Sequence, residues 1–520
     1  METLESYVLA RWQKGTGAPV LLENPTTEEP IAEVRSGGID FRAAAEAARG
    51  QGGPALRALS FRERGALLKG LSGAIHERRE DLIETSIANG GTTRSDAKFD
   101  IDGAIGTLAA YAALAEKLPA TPFLVDGTGI QLGRTARYWG QHIFTTRPGV
   151  AVHVNAFNFP AWGMTEKMAC ALLAGVPVIE KPGTPTALVA ARVARIVVDS
   201  GLLPPNAYQF VAGSVGDLFD HLGPQDCIAF TGSSATGAKL RAHPCVVQRS
   251  VRLNVEADSL NAAVLAPDVE PGSDSWNLFL GNVVLDMTQK TGQKCTAVRR
   301  ILVPKERMEA VRADLVAELG RIQVGDPAEK TTRMGPLASK AQLDDVRGGI
   351  GRFAKAGEIA CGGLDAKIPN VSKGRFVAPT LVSARDGKDP VFHAEEVFGP
   401  VATLLAYDGD AKEAASIVGL GGGGLVSSAY SNEPDWIGAY VLAASPWNGR
   451  VWIGSDKLQD QSFPPGMVLP SMIHGGPGRA GGGEELGGER GLQFYMQRTA
   501  VQGFKGWIEA AFGRPETLAK

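Results

Sequence analysis

The chain has 520 residues, 44% of them hydrophobic and 21% charged, an ordinary globular composition long enough for two or three cores. Its formal net charge of −3 offers no general attraction to nucleic acid or to an anionic membrane. The five cysteines are scattered without CxxC spacing, which argues against a disulfide framework or a zinc site and fits a reducing compartment.

The N-terminus METLESYVLARWQKG carries early acids and no unbroken apolar stretch, so no secretory leader is read there. No apolar run approaches the length of a membrane span, and a cytoplasmic, soluble protein is expected. Residues 40–118 read as helical. The alternation in QLGRTARYWGQHIFTTRPG, within 121–149, suits a hairpin of extended strands.

The clearest pattern follows. VAVHV (150–154), VPVIE (176–180), AYQFVA (207–212) and CIAFT (227–231) are apolar runs of the kind buried on both faces of a parallel sheet. Between two of them Val189, Val193, Ile196 and Val197 fall on one helical face, and Gly201 with Pro204 and Pro205 marks the stop. Strands alternating with helices predict an α/β, doubly wound, nucleotide-binding architecture. A second α/β unit begins near 257, with a helix at 305–322 and strands at 376–382, 401–407 and 449–455. The run HGGPGRAGGGEELGG (474–488) is expected to be a loop.

Four short stretches carry chemistry. FTGSSATGAK (230–239) follows a strand and opens a helix, where unpaired N–H groups suit a phosphate. It is neither GxGxxG nor a Walker loop, since Ala238 stands where the latter needs lysine. Asn158, after the first strand, is placed to donate to a developing oxyanion, and Lys181 ends the next strand at the ligand-binding edge of such a sheet. VRLNVEADSLN (251–261) supplies Glu256, and TGQKC (291–295) supplies Cys295, which lies among polar neighbours that suit a reactive thiol better than a packed one. Cys170, Cys227 and Cys245 read as packed thiols. The seven histidines show no metal-ligand spacing, and His153 reads as a core residue.

Together these stretches resemble the aldehyde dehydrogenase superfamily over roughly residues 20–510. The resemblance implies Cys295 as nucleophile, Glu256 as general base, Asn158 as oxyanion donor, and Glu485 in EELGGERGL as a second glutamate near the water channel. It implies cofactor contacts from Lys181, Thr184, Thr231, Gly232, Ser233, Gly237, Glu396 and Phe398, and no metal. The implied architecture is a Rossmann-like nucleotide-binding domain (1–124 and 148–256), an α/β catalytic domain (257–485) and a small β oligomerisation arm (125–147 and 486–510). A homo-oligomer, dimer or tetramer, goes with that arm.

Two departures stand out. The family's Glu-Leu-Gly-Gly run is here Glu256-Ala257-Asp258-Ser259, and Glu256 lies 39 residues before Cys295, more than is usual. Retention of Glu256 favours hydrolysis of the thioester over transfer to coenzyme A. Many NAD-preferring members carry glutamate three residues after the motif lysine. Thr184 stands there, which favours NADP with NAD tolerated, although the charge of Glu180 lies close by. The stretches around 150–191 and 474–503 resemble a branch that oxidises coenzyme A-linked semialdehydes in aerobic benzoate degradation, so a CoA thioester is the implied substrate. A general aliphatic or aromatic aldehyde dehydrogenase is the alternative. A cysteine-dependent thiol hydrolase, the rival from another class, lacks a histidine base beside Cys295.

Overall fold

The structure, a computed structural model, describes residues 1–458, 461–472, 475–483 and 487–513. Two seven-stranded sheets form its centre. In the first, five parallel strands lie in the order Arg252–Glu256, Cys227–Thr231, Ala151–Val154, Val178–Lys181 and Tyr208–Phe210. The N-terminal strands Glu5–Val8 and Arg11–Lys14 extend it antiparallel from the last of these. Alternate residues feed different cores. Ala151, Val178, Cys227 and Ala229 pack under the helices Phe61–Glu77, Arg94–Ala115, Trp162–Ala174 and Ala187–Asp199, whereas Val152, Ile179 and Ile228 pack on the other face. Burial on both faces is why these strands are continuous apolar runs.

The second sheet runs Gly357–Cys361, Thr380–Ala384, Val401–Tyr407, Arg300–Pro304, Ala262–Leu265, Gly424–Tyr430 and Asn448–Gly454, parallel except for its first strand. The strand expected from Phe376 starts at Thr380, because Pro379 has no N–H for the ladder. The helix expected at 305–322 is Met308–Gly320, after a short turn. Helix Ala187–Asp199 ends as its sequence predicts, with Gly201 in the left-handed region at φ 63°.

A third, three-stranded antiparallel sheet joins the hairpin Phe123–Gln131 and Tyr138–Thr146 to Met496–Phe504. Its outer surface exposes Ile130, Tyr138 and Phe504, with Trp507 just beyond. No helix among the described residues is long and apolar enough to cross a membrane.

Candidate active site

In the first sheet the chain winds away from Ala151–Val154 in both directions, so the crevice beyond that strand and Cys227–Thr231 is the topological switch point where ligands bind in open α/β sheets. The second sheet meets this crevice with the opposite edge. Ser259, Cys295 and Glu396 all precede its strands, and they face residues that follow the strands of the first sheet.

One long cleft is lined by Asn158, Lys181, Thr231, Gly232, Ser233, Glu256, Cys295, Glu396 and Phe398. Asn158, Thr231, Glu256 and Cys295 also line a second, inner cavity with Phe99, Trp162 and Glu166. The sequence-predicted nucleophile, base and oxyanion donor therefore sit together where the two spaces join. Thr184 lies at the far end of the cleft, in a pocket shared with Lys181. Gly237 does not line the cleft. A side chain there would meet Val255 at 3.0 Å, so its glycine serves the packing of helix Ser234–Arg241 on the strand beside it. Glu485 lies outside the described residues.

Local structure holds each group. Helix Asp274–Thr288 ends in a turn where Lys290 (φ 53°), Thr291 (φ 58°) and Gly292 (φ 67°) are successively left-handed. For a β-branched residue this is a strained conformation, costing about 1–3 kcal/mol. Thr291 Oγ1 holds it by donating to the carbonyls of Gly335 and Pro336. A side chain at Gly292 would strike the Gly399 carbonyl at 2.2 Å. Beyond the turn, the Asn261 amide donates to the carbonyls of Cys295 (2.7 Å) and Ala297 (2.9 Å), while its oxygen accepts from Ser259 Oγ and Val426 N–H. Lys294, beside Cys295, forms a fully buried pair with Asp286 at 2.7 Å.

Arg299 ties this loop to the Glu396–Phe398 end of the cleft. It donates to the carbonyls of Gly292, Lys294 and Gly399 and to Glu396 Oε1 at 3.3 Å, and its guanidinium lies 5.3 Å from the Phe398 ring centre. Burial lowers its own pKa, with Glu396 opposing. Glu396 also accepts from Ser259 N–H. Its carboxyl is pushed up to about 7 by burial, which Arg299 opposes and Asp258 reinforces.

Asn158 precedes helix Trp162–Ala174, whose first amides donate to the buried carboxylate of Asp100. Lys290 stands 4.3 Å over the Phe159 ring, with Asp96 and Asp100 among its charged neighbours. These contacts bind the Asn158 segment to the turn that carries Cys295. At the Lys181 end, a Cβ on Gly183 would come within 2.5 Å of the Phe157 backbone, so glycine lets the two loops touch. Ser233 caps helix Ser234–Arg241. The buried Thr231 Oγ1 has no protein partner among the described residues, and Thr231 lines both the cleft and the inner cavity.

The unusual Ala257-Asp258-Ser259 sequence now has a structural account. Asp258 accepts from Ser234 N–H at 3.1 Å and from Ser234 Oγ at 2.5 Å, capping the phosphate-type helix, while Ser259 holds Glu396 and Asn261. Glu180 is fully buried and does not line the cleft. Strand alternation turns it away from Lys181 and the cleft, into a buried network with His153 (2.6 Å) and Asn155 (2.8 Å), and His153 meets Tyr495 on its other side.

Sequence reasoning missed Asn261, Arg299 and Glu166, and saw Asp258 only as a departure from the family's pattern. Glu166 lines the inner cavity, and its carboxyl is pushed up to about 7 by burial, with Lys167 opposing and Glu256 adding to the rise. Its one sequence signal is the charged pair Glu166–Lys167 inside the mostly apolar helix MTEKMACALLAG.

The model of the aldehyde dehydrogenase family matches residues 12–501. The chain belongs to that family. This aldehyde dehydrogenase is 42% identical over 478 residues to the 3,4-dehydroadipyl-CoA semialdehyde dehydrogenase of Aromatoleum evansii, covering 91% of this chain and 93% of that protein. The structure of lactaldehyde dehydrogenase from Escherichia coli superposes with a TM-score of 0.84 at 24% identity, covering 96% of this chain and 99% of that one. An aldehyde dehydrogenase from Bacillus cereus, solved with NAD+, gives 0.83 at 23% identity and 97% coverage of each chain. These two likenesses carry the fold of the enzyme. It is an oxidoreductase acting on aldehydes, with three or more candidate metal ligands gathered nowhere among its described residues.

Proposed function

We propose that this enzyme oxidises a coenzyme A-linked semialdehyde, 3,4-dehydroadipyl-CoA semialdehyde or a close analogue, to the carboxylic acid with NADP. The observation that carries the chemistry is the meeting of Cys295, Glu256 and Asn158 at the junction of a dinucleotide-sized cleft with an inner cavity. The substrate class rests on the 42% identity to the Aromatoleum enzyme, and the broader alternative is a general aliphatic or aromatic aldehyde dehydrogenase.

In this reading Cys295 Sγ bonds to the aldehyde carbon. The Asn158 amide, with a backbone N–H, stabilises the oxyanion of the thiohemiacetal, a contribution typically worth a hundred- to a thousand-fold in rate. A nicotinamide dinucleotide, when bound, supplies the hydride acceptor. The thioester left on Cys295 is hydrolysed by water that Glu256 deprotonates, and the acid leaves with Cys295 restored. Lys181, Ser233, Thr231, Glu396 and Phe398 would hold the dinucleotide. NADP preference is supported by the pocket at the Thr184 end of the cleft. Its walls offer Lys181, Thr184, Ser36 and Ser214 and, among the described residues, no carboxylate to repel a 2′-phosphate. Self-association through the three-stranded arm fits its exposed edge and apolar side chains, and sedimentation of Phe504→Asp against the wild type tests it.

The test is initial-rate NADPH or NADH formation with the CoA semialdehyde and with a free aldehyde of equal chain length. Higher kcat/KM for the CoA substrate with NADP is expected. Equal turnover of the free aldehyde would overturn the substrate assignment, and preference for NAD would overturn the cofactor assignment.

A further inference from the structure

One wall of the inner cavity beside Cys295 is built by a stretch, 464–468, that belongs to no helix or strand. Gly466 and Val468 line the cavity together with Cys295 and Thr296. Pro464 to Met467 form a tight turn, closed by the Met467 N–H donating to the Pro464 carbonyl at 2.9 Å. Pro465 takes the second position, where proline is favoured.

Two kinds of contact hold this turn. On one side Met467 and Val468 pack against the core between the first sheet and its helices. On the other, three successive carbonyls each accept from a side chain. Arg450 Nη2 donates to Pro465 O at 2.6 Å, and Arg450 Nη1 donates to Met467 O. Between them Thr296 Oγ1, from the residue after Cys295, donates to Gly466 O at 3.0 Å. Gly466 also lies hard against the buried Asp286–Lys294 pair. A Cβ there would meet Asp286 Oδ1 at 2.6 Å and Lys294 Nζ at 2.9 Å.

Arg450 itself stands on strand Asn448–Gly454, at the edge of the second sheet, and lines neither the inner cavity nor the long cleft. Apolar packing is non-directional, so the contacts of Met467 and Val468 leave the turn free to slide. A guanidinium is a rigid fork that holds two acceptors at a fixed separation. The fork therefore decides how far the wall stands from Cys295.

We propose that Arg450 is a positioning residue for substrate selection. By gripping the carbonyls of Pro465 and Met467 it sets the width of the cavity beside Cys295, and with it the tolerance for aldehydes branched next to the carbonyl. The inference rests on the reading of the inner cavity as the aldehyde site and is independent of coenzyme A.

The experiment measures kcat and KM, with NADP, for hexanal and for 2-ethylhexanal, which is branched beside the carbonyl. In Arg450→Met both carbonyls lose their donor and the wall retreats. The kcat/KM ratio of branched to straight aldehyde is expected to rise about tenfold, through KM, the low end of what one methylene is worth in an apolar pocket. Arg450→Lys, a point charge in place of the fork, is expected to recover part of the wild-type ratio, with NADP Kd unchanged in both variants. In Gly466→Ala the added Cβ pushes the wall away from Asp286 and Lys294 into the cavity, so the ratio is expected to fall. That variant decides the matter should Arg450→Met fail to fold. Val468→Trp fills the cavity and is expected to raise KM for both aldehydes. If it does so while Arg450→Met and Gly466→Ala keep the wild-type ratio, the role of Arg450 is overturned and the aldehyde site stands. Wild-type KM for both aldehydes in Val468→Trp, or no turnover of hexanal by the wild type, would overturn the aldehyde site and the role of Arg450 together.

Discussion

Arg299→Met tests whether the Cys295 loop and the Glu396–Phe398 end of the cleft are held as one unit. The buried guanidinium donates to Gly292 O at 3.0 Å, Lys294 O at 3.1 Å, Gly399 O at 2.9 Å and Glu396 Oε1 at 3.3 Å. Methionine fills most of the space with no donor, and breaking a buried pair by removing one partner costs about 3–5 kcal/mol. The carboxyl of Glu396 is already raised by burial from 4.5 to about 7, with Arg299 holding it down, so the substitution raises it further. Because the folded pKa lies above the unfolded one, this group's contribution favours folding at low pH and is lost as pH rises from about 4.5 to about 7. In the variant that loss extends to higher pH. If ionised Glu396 accepts from ribose hydroxyls, a charge-assisted bond of about 1.5–3 kcal/mol goes with it, and the NADP Kd at pH 7.5 rises about 10- to 150-fold.

The assay is NADP titration by tryptophan fluorescence from pH 6 to 9, run beside the rate of Cys295 alkylation by iodoacetamide. Wild-type affinity should increase with pH through about 7, the value at which Glu396 ionises. Arg299→Met should shift that increase to higher pH and show a changed alkylation rate, because the Gly292 and Lys294 carbonyls have lost their donor. Glu396→Gln should weaken NADP binding and leave alkylation unchanged. Wild-type Kd and alkylation rate in Arg299→Met at every pH would refute the coupling.

Three further outcomes are expected. Thr184→Glu should raise the KM for NADP at least tenfold and leave or improve the KM for NAD, because a carboxylate would face the 2′-phosphate in a pocket that now has none among its described residues; steady-state kinetics with both cofactors check it. Asp286→Ala should strand the buried Lys294 ammonium, cost about 3–5 kcal/mol and lower the midpoint of thermal inactivation, with part of the loss recovered in Asp286→Leu/Lys294→Met. Asn158→Ala should lower kcat a hundred- to a thousand-fold with little change in NADP Kd, as measured by single-turnover kinetics and cofactor titration.

The parallel strands were legible because burial on both faces forces apolar runs such as CIAFT, a signal that needs no knowledge of neighbours. The antiparallel additions were not. Glu5–Val8 and Arg11–Lys14 are short, polar-alternating strands whose place at the sheet edge is set by pairing with Tyr208–Phe210, far away in sequence. Within the site, the groups that line the cleft belong to short linear motifs and stood out. The groups that hold them did not, because Arg299 and Asn261 act through backbone carbonyls that only the tertiary structure brings near. Lys290 and Thr291 are left-handed without being glycine, so the turn before Cys295 has no local signature beyond Gly292. Asp258 and Ser259 were visible as departures from a pattern, and their capping and bracing roles required coordinates.

In the proposed mechanism, aldehyde oxidation passes through a thioester on Cys295 that is hydrolysed by water activated by Glu256. Glu256→Gln mixed with aldehyde and NADP, quenched in acid and weighed by intact mass spectrometry with peptide mapping, tests it most directly. One equivalent of NADPH per active site is expected, with an acyl mass on Cys295 that persists while wild-type adduct turns over. Full steady-state turnover by Glu256→Gln, or NADPH formation with no mass on Cys295, would contradict it.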